Sequence, residues 1–373
     1  MKKYDFAIIG SGLFGSTCAY LLSQKGYKVL VVDKRDHLGG NIYTRNIDGI
    51  NVHMYGAHIF HTSNESVWKF INKFATFNDY VNRVKANYKG ELYSLPFNMY
   101  TFKKMWNVST PLEAKEKIEE QIKKENIKDP KNLEEQALSL VGRDVYTKLI
   151  KGYSEKQWGK KCVDLPSSII KRLPIRYEYN DNYFNDTYQG IPIGGYTNII
   201  KKMLNSCDIK LSLDYFKYKK EIDDQADNII YTGAIDEYFS YQFSPLEYRS
   251  LHFDVEMLNK EYFQNNCVIN YTDIEVPYTR IIEHKYFENT KCNSTVITKE
   301  FPRDYSLGEE RYYSINDEKN NALYQKYFLE TKKLKNVYFG GRLASYKYFD
   351  MDDTIEAAFD LVDKIIKEKS HER

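Results

Sequence analysis

Glycines 10, 12 and 15, in the run GSGLFG, stand between an apolar stretch at residues 4–9 and a helix-forming segment that opens near Ser16. At this spacing glycine permits a tight turn, close approach of backbone to a pyrophosphate, and close helix–strand packing. Asp33 closes the next apolar run, KVLVVD, where a carboxylate accepts hydrogen bonds from a ribose hydroxyl. NAD and FAD share that fingerprint, and three features favour FAD. The segment KRDHLGGN (34–41), with Lys34, Gly40 and Asn41, is basic and glycine-rich; a late apolar run enters GGR (340–342), placing Gly341 and Arg342 near a negative pyrophosphate; and the chain closes on a helix whose positive N-terminal end faces the flavin. No second G-x-G-x-x-G occurs, so no dedicated nicotinamide domain is visible. A redox dinucleotide thus comes without an evident place for a second redox partner.

Other residues carry chemistry away from that fingerprint. In YGAHIFHTSN (55–64), His58 and His61 are three apart. On a helix they would share a face; after Gly-Ala they fit a turn beside a cofactor. A metal would need a third ligand, and none is adjacent, so a structural pair stands beside the site reading. GYSEKQWG (152–159) brings Tyr153 and Trp158 together, planar rings that either sandwich a nucleobase or pack a helix end. KRLPIRYEYNDNYF (171–184) sets Arg172, Arg176 and Tyr183 around Pro174, the composition of a loop that can move. In VPYTRIIEH (276–284) Arg280 has apolar neighbours, and is either paired with a carboxylate or facing an anionic ligand. YYSIN and YKYFDMDD add Tyr313, Tyr346, Tyr348 and Asp350.

These residues need elements to hold them. Residues 4–9, a helix to about Gln24 and residues 28–33 predict a βαβ unit and a parallel sheet. EAKEKIEEQIKKE (113–125) is rich in helix formers, and NLEEQALSLVG (132–142) opens with Asn132 and Glu135 at capping-box spacing and closes with Gly142, so residues 100–176 read as mostly helical. NIIYTG (228–233) and NVYFGG (336–341) read as strands into glycine turns, and SLHFDVEM, CVINYTD and STVITKEF between 248 and 301 as antiparallel strands. Residues 353–369 form an amphipathic closing helix. The fold class is α/β: an FAD-binding Rossmann-type domain assembled from 1–80, 190–240 and 326–373, a helical bundle domain at 100–176, and an antiparallel sheet domain from 81–99 and 241–325.

Composition excludes several partners. A net charge of +2 provides no global field for nucleic acid or an anionic membrane, so an anionic ligand needs a local cluster of Arg or Lys. The 34 tyrosines suit the lining of a wet pocket, although most must serve core or surface. Five scattered cysteines without a C-x-x-C pair predict a reduced, cytoplasmic protein with no thiolate zinc site. Lys2 and Lys3 before an apolar run imitate a signal peptide, but Asp5 and the glycines interrupt it. No segment approaches the ~20 apolar residues of a membrane helix.

The quoted runs, together with LPFNM, IIKRLPIR, YQGIPIGGYT, IIYTGAID, LEYRSL and FGGRLASYKYFDM, cover residues 5 to 355, and with them the chain resembles the bacterial UDP-galactopyranose mutases. That family comprises flavoenzymes that interconvert the pyranose and furanose forms of UDP-galactose. The resemblance implies that Arg172 and Arg280 clamp the pyrophosphate, that Tyr153 and Trp158 hold the uridine, and that Tyr183, Tyr313 and Tyr348 bond the diphosphate. It places Asp350, His58 and His61 near flavin and sugar, Asn82 with the substrate residues, and Phe14 and Met351 around the cofactor. The usual glutamate at the ribose is Asp33 here. A homodimer is implied, as is a loop around Arg172 that closes over substrate. So is a mechanism in which reduced flavin N5 attacks the anomeric carbon and displaces UDP. The flavin–sugar adduct then opens to an iminium and the 4-hydroxyl recloses the ring. No net oxidation occurs, so an external reductant need only keep the flavin reduced, which accounts for the missing second dinucleotide site. The alternatives are a flavin oxidoreductase of the amine-oxidase type and a non-catalytic FAD-containing binding protein.

Overall fold

The computed structural model describes residues 2–170 and 174–371. Five parallel strands, in the order Val337–Phe339, Ala226–Tyr231, Tyr4–Ile9, Val29–Val32 and Asp208–Lys210, form the first sheet. The near-continuous apolar runs of its central strands follow from burial on both faces. Phe6, Ile8, Val29 and Val31 point to one side, where Leu22, Ile200 and Ile355 cover them from the helices Leu13–Gln24, Tyr196–Met203 and Met351–His371. Ala7, Ile9, Leu30 and Val32 point to the other, against Tyr215, Ile222 and Tyr231. The first helix starts at Leu13 rather than near Ser16, because the glycine segment itself forms its opening turn with Gly12 as N-cap.

The second sheet has seven strands, in the order Tyr313–Ser314, Tyr248–Leu258, Thr295–Asp304, Arg280–Glu283, Val268–Tyr271, Lys85–Tyr88 and Glu91–Ser94. Its long antiparallel pairings match the alternation in the sequence, but Val268–Tyr271 runs parallel to Lys85–Tyr88. These two strands come from distant parts of the chain, so no hairpin dictates their direction.

The helical region comprises Met99–Trp106, Pro111–Glu125, Leu133–Val145, a π-helical turn at Tyr146–Lys151, and Gly152–Trp158. Asn132 caps its helix by accepting from the Glu135 N–H at 2.9 Å, as the spacing predicts. Gly142 breaks that helix, as the sequence predicts: its φ of +74° and ψ of 179° are non-helical, and a short helical turn resumes beyond the kink. A Cβ there would lie 2.5 Å from Gln121 Cβ on the facing helix, so the glycine serves close helix–helix approach as well as the break. Among the described residues no helix is long and apolar enough to cross a membrane, and all five cysteines are free thiols.

Candidate active site and cofactor cradle

A cavity opens at the carboxyl ends of the parallel strands, where open α/β sheets bind ligands. Its walls are glycine for steric reasons. A Cβ on Gly10 (φ +114°) would lie 2.0 Å from Thr232 Oγ1, one on Gly15 would lie 2.1 Å from the Gly10 carbonyl, and one on Gly40 (φ +54°) would lie 2.9 Å from Gly12 Cα. The two glycine loops therefore press backbone on backbone. The helix that starts at Leu13 has no side-chain cap, which leaves its first N–H groups for an anion. Asp33 is fixed from both sides: Oδ2 accepts from Ser11 N–H at 2.7 Å and Ser11 Oγ at 2.6 Å, and Oδ1 accepts from Arg35 N–H at 2.9 Å. Lys34 and Arg35 both reach Glu310, and Arg35 also donates to Asn41 Oδ1 at 3.0 Å. Opposite the fingerprint, Phe14 lies under Gly340 and Gly341, and Met351 and Thr354 bring the start of the closing helix into the same wall.

A second cavity shares Asn41, His58, Arg342 and Met351 with the first, so the two form one cleft. Arg280 begins the strand Arg280–Glu283 and is paired in register with Glu300 and Asn270. Its Nη2 donates to the Tyr153 phenol at 2.6 Å; its Nε lies 3.6 Å from Glu300 Oε1 and has no hydrogen-bond partner among the described residues. Burial works against the guanidinium charge, but the Glu300 carboxylate and the phenols of Tyr153 and Tyr313 outweigh it and keep Arg280 charged. Tyr313 and Tyr348 stack with ring centres 6.3 Å apart, Tyr348 donates to Asp350 Oδ1 at 3.1 Å, and Arg342 lies 4.4 Å over the Tyr348 ring. Burial pushes the Tyr183, Tyr313 and Tyr348 phenols up, so they remain donors. The Asn82 and Asn270 side-chain oxygens, on residues only 4% and 8% exposed, line this cleft without hydrogen-bond partners among the described residues. Each is an acceptor held for a ligand donor.

His58 and His61 share no helix face. His58 lies between the turn at residues 54–56 and the strand Phe60–Thr62, and its Nδ1 is 2.8 Å from the Gly56 carbonyl. A carbonyl only accepts, so Nδ1 carries the proton and Nε2 is left as the acceptor. Burial and the neighbouring Arg342 pull His58 down to about 4, which keeps it neutral near pH 7. His61 stands 2.8 Å from Asp186 Oδ2 and stacks on Phe184 at 3.7 Å. Among the described residues no group of three His, Cys, Asp or Glu could hold a metal.

The structure thus gathers His58, His61, Asn82, Tyr183, Arg280, Tyr313, Tyr348 and Asp350 around one cleft, with Tyr153 bonded to Arg280 at its edge. Trp158 packs against the helical core and lines neither cavity. Tyr346 is buried, with its hydroxyl on the Glu247 and Ile315 carbonyls. Arg176 ties its own loop together through the Asn182 carbonyl and the Asn185 side chain. Arg172 lies outside the described residues. Glu300 and Asn270 escaped the sequence reading. Only the strand register, a long-range property, places them beside Arg280.

A family profile described as UDP-galactopyranose mutase matches residues 148–348, and one described as an NAD(P)-binding Rossmann-like domain matches residues 8–74. The chain is 41% identical to a dTDP-fucopyranose mutase of Escherichia coli (96% of this chain, 98% of the relative). It is 40% identical to a probable UDP-galactopyranose mutase of Klebsiella pneumoniae (98% and 96%). The chain belongs to the UDP-galactopyranose mutase family. The crystal structure of a reduced UDP-galactopyranose mutase superposes with a TM-score of 0.75, covering 98% of this chain and 96% of that one; at 13% identity this is a likeness of fold. A redesigned putrescine oxidase superposes less well, at 0.57. Relatives along the whole chain are mutases, which favours an isomerase over an amine-oxidase-type oxidoreductase. As in its family, the cofactor of this mutase is FAD, and the cradle fits it: an uncapped helix N-terminus for the pyrophosphate, the anchored Asp33 for a ribose, and a cleft continuing past His58 and Met351 toward Arg280.

Proposed function

We propose that this chain interconverts the pyranose and furanose forms of UDP-galactose on reduced FAD. The observation that carries the reading is Arg280, a partly buried, charged guanidinium whose Nε has no hydrogen-bond partner among the described residues, in a cleft continuous with the FAD cradle. When bound and reduced, FAD supplies a nucleophilic nitrogen, N5, for the anomeric carbon. The chain does the rest. Arg280 and the phenols of Tyr183, Tyr313 and Tyr348 hold the diphosphate, and Arg280 stabilises the charge that grows as UDP leaves; Arg172 is the second arginine of this clamp. The same contacts retain UDP for recapture. Asn82 and Asn270 accept from substrate donors, and Tyr153 and Trp158 serve the uridine end. Neutral His58 offers Nε2 as a proton acceptor, and His61, oriented by Asp186, and Asp350 border the sugar. FAD contacts fall to Gly10, Gly12, Phe14, Gly15, Asp33, Lys34, Gly40, Asn41, His58, Gly341, Arg342 and Met351. An external reductant, a homodimer and a cytoplasmic location belong to the same reading.

A second substrate has a specific observation behind it, because the relative at 41% identity is a mutase of dTDP-fucopyranose. The test therefore incubates the dithionite-reduced protein with UDP-galactofuranose and, separately, with dTDP-fucofuranose, and separates the products by chromatography. UDP-galactopyranose should accumulate, and only with the reduced protein. Turnover of the dTDP sugar alone would move the substrate assignment; turnover of neither would reject the reading. Protein refilled with a flavin carrying carbon at position 5 should bind it and be inactive. Sustained turnover would remove N5 as the nucleophile.

A further inference from the structure

The helix Gly152–Trp158 carries a residue that neither the fingerprint nor the cleft accounts for. The Lys156 ammonium donates to four backbone carbonyls, those of Tyr271 at 2.7 Å, Asp273 at 2.8 Å, Val276 at 2.9 Å and Tyr278 at 2.9 Å. Tyr271 ends the strand Val268–Tyr271, the other three lie in the connection from it to the strand Arg280–Glu283, and the last lies two residues before Arg280. The connection is closed at its base by Tyr271 N–H on the Thr279 carbonyl at 2.8 Å, so it wraps the ammonium as a loop wraps an ion. Tyr153, which holds Arg280, precedes Lys156 by three residues and shares its helix face. Gly152 seats that helix directly on the loop: a Cβ there would lie 2.3 Å from the Thr272 carbonyl.

We propose that Lys156 is a positioning residue for Arg280: caged by the loop that leads into the arginine, its ammonium locks that loop to the helix that presents Tyr153, and so sets the guanidinium in the cleft. The proposal rests on the reading of Arg280 as the diphosphate ligand. Four carbonyls turned toward one point repel each other unless a cation sits among them, as in carbonyl-lined ion sites. An ammonium is compact and can point its three protons among them, whereas the planar fork of arginine cannot. Burial, opposed by Asp273, pulls the Lys156 ammonium down to about 8; the carbonyl shell adds acceptors that only the charged form uses in full. The cage also borders a surface pocket shared by Lys156, Gly159, Arg249 and Pro277, which gives small solutes a way in.

The test uses full-length FAD-loaded protein with Lys156→Ala and Lys156→Gln. Wild type is measured first: if it neither binds UDP nor isomerises the sugar nucleotide, the functional reading fails, and not this one. With wild type active, both variants should keep their FAD content and their rate of reduction by dithionite. They should lose about 10²-fold in kcat/KM, shared between weaker UDP binding and lower kcat, as expected when a charged group moves by about 1 Å. Added ammonium or methylammonium at tens of millimolar should restore Lys156→Ala at least tenfold, and tetramethylammonium, too large for the cage, should not. Lys156→Arg should be as poor as Lys156→Ala. Wild-type kinetics in either variant, a loss that no small cation restores, or loss of FAD or of folded protein in both variants would overturn the positioning role.

Discussion

Arg280 Nη2 and the Tyr153 hydroxyl are 2.6 Å apart, a bond that joins the second sheet to the helical region at the edge of the cleft. The bond spends one face of the guanidinium on the protein and leaves Nε, beside Glu300, without a hydrogen-bond partner among the described residues. A guanidinium so held is oriented before an anion arrives. Replacing Arg280 by Ala should therefore lower kcat/KM by ~10²- to 10³-fold while FAD stays bound, the cost of removing about 3–4 kcal/mol of charge stabilisation. Arg280→Lys should be poor as well, because a point charge cannot make a forked contact and cannot reach both Tyr153 and the ligand. Steady-state kinetics on protein with full flavin absorbance checks this; near-normal rates in the Ala variant would leave Arg280 a structural partner of Glu300.

Tyr153→Phe isolates the orienting bond. The phenol donates nothing to the guanidinium and only accepts, so its loss removes one hydrogen bond to a charged group, worth about 1.5–3 kcal/mol, while the ring remains. We expect roughly a 10-fold fall in kcat/KM with unchanged flavin content. An effect as large as that of Arg280→Ala would mean that Tyr153 itself touches the reacting groups.

Gly340→Ala tests the cradle instead of the cleft. A Cβ there would lie 2.2 Å from Phe14 Cζ, and Phe14 is wedged on the first turn of the helix whose N-terminus faces the pyrophosphate. Neither the helix start nor the strand Val337–Phe339 can yield without disturbing the sheet. The variant should purify with less than half the FAD of wild type, read by its absorbance near 450 nm, and should regain part of it in excess FAD. Full flavin content would show that the Phe14 ring moves freely.

The parts of this site legible in the sequence are those whose causes are local. The glycines at 10, 12 and 15 and the Asn132 cap act within a few residues of themselves, so spacing alone reveals them. What the sequence concealed is long-range. The Glu300 carboxylate meets Arg280 only through an antiparallel register, and Asn270 through the next strand. Elsewhere local rules caught only part of what a residue does. Gly142 has the type and position of a helix stop and breaks the helix there, and its missing Cβ also serves the close approach of Gln121. The three-residue spacing of His58 and His61 suggested a helix face or a turn beside a cofactor; no helix forms, His58 follows a turn at residues 54–56, and the two rings have different partners. Trp158 has the chemistry of a base-stacking ring, and its partly exposed ring rests on one side against the helical core.

The histidines behind the cleft lead to a pH prediction. His58 N–H donates to His53 Nδ1 at 3.2 Å, His53 N–H donates to His284 Nδ1 at 3.3 Å, and His284 Nε2 lies 2.7 Å from Thr298 Oγ1. In His53 and His284 the Nδ1 atoms are acceptors, so both rings must be neutral, and protonating either removes the acceptor on which the next backbone N–H depends. Burial holds them there: His284 is pulled down to about 3 and His58 to about 4, and His53, with the other two rings adding to its burial, falls well below its ordinary range. In the unfolded chain each takes a proton near pH 6.5, so between about 6.5 and 4 the unfolded state binds more protons than the folded one. Their contribution to stability is therefore complete above pH 6.5 and is lost as the pH falls toward 4, by about 1.4 kcal/mol per pH unit for each histidine fully in its window. Asp236 and Asp352, raised by burial, act in the opposite direction. Glu310, held low by Arg35 and Lys34 against its burial, acts in the same direction as the histidines. Urea unfolding of the FAD-loaded protein should show stability falling steadily from pH 7 to 4.5. His284→Gln should be less stable at pH 7 and show a shallower slope, because one of the three proton-binding sites of the unfolded chain is gone. A slope unchanged in that variant, or stability that is level or rises on acidification, would mean that these rings are already charged in the folded protein and that Nδ1 of His53 cannot be what holds the His58 backbone.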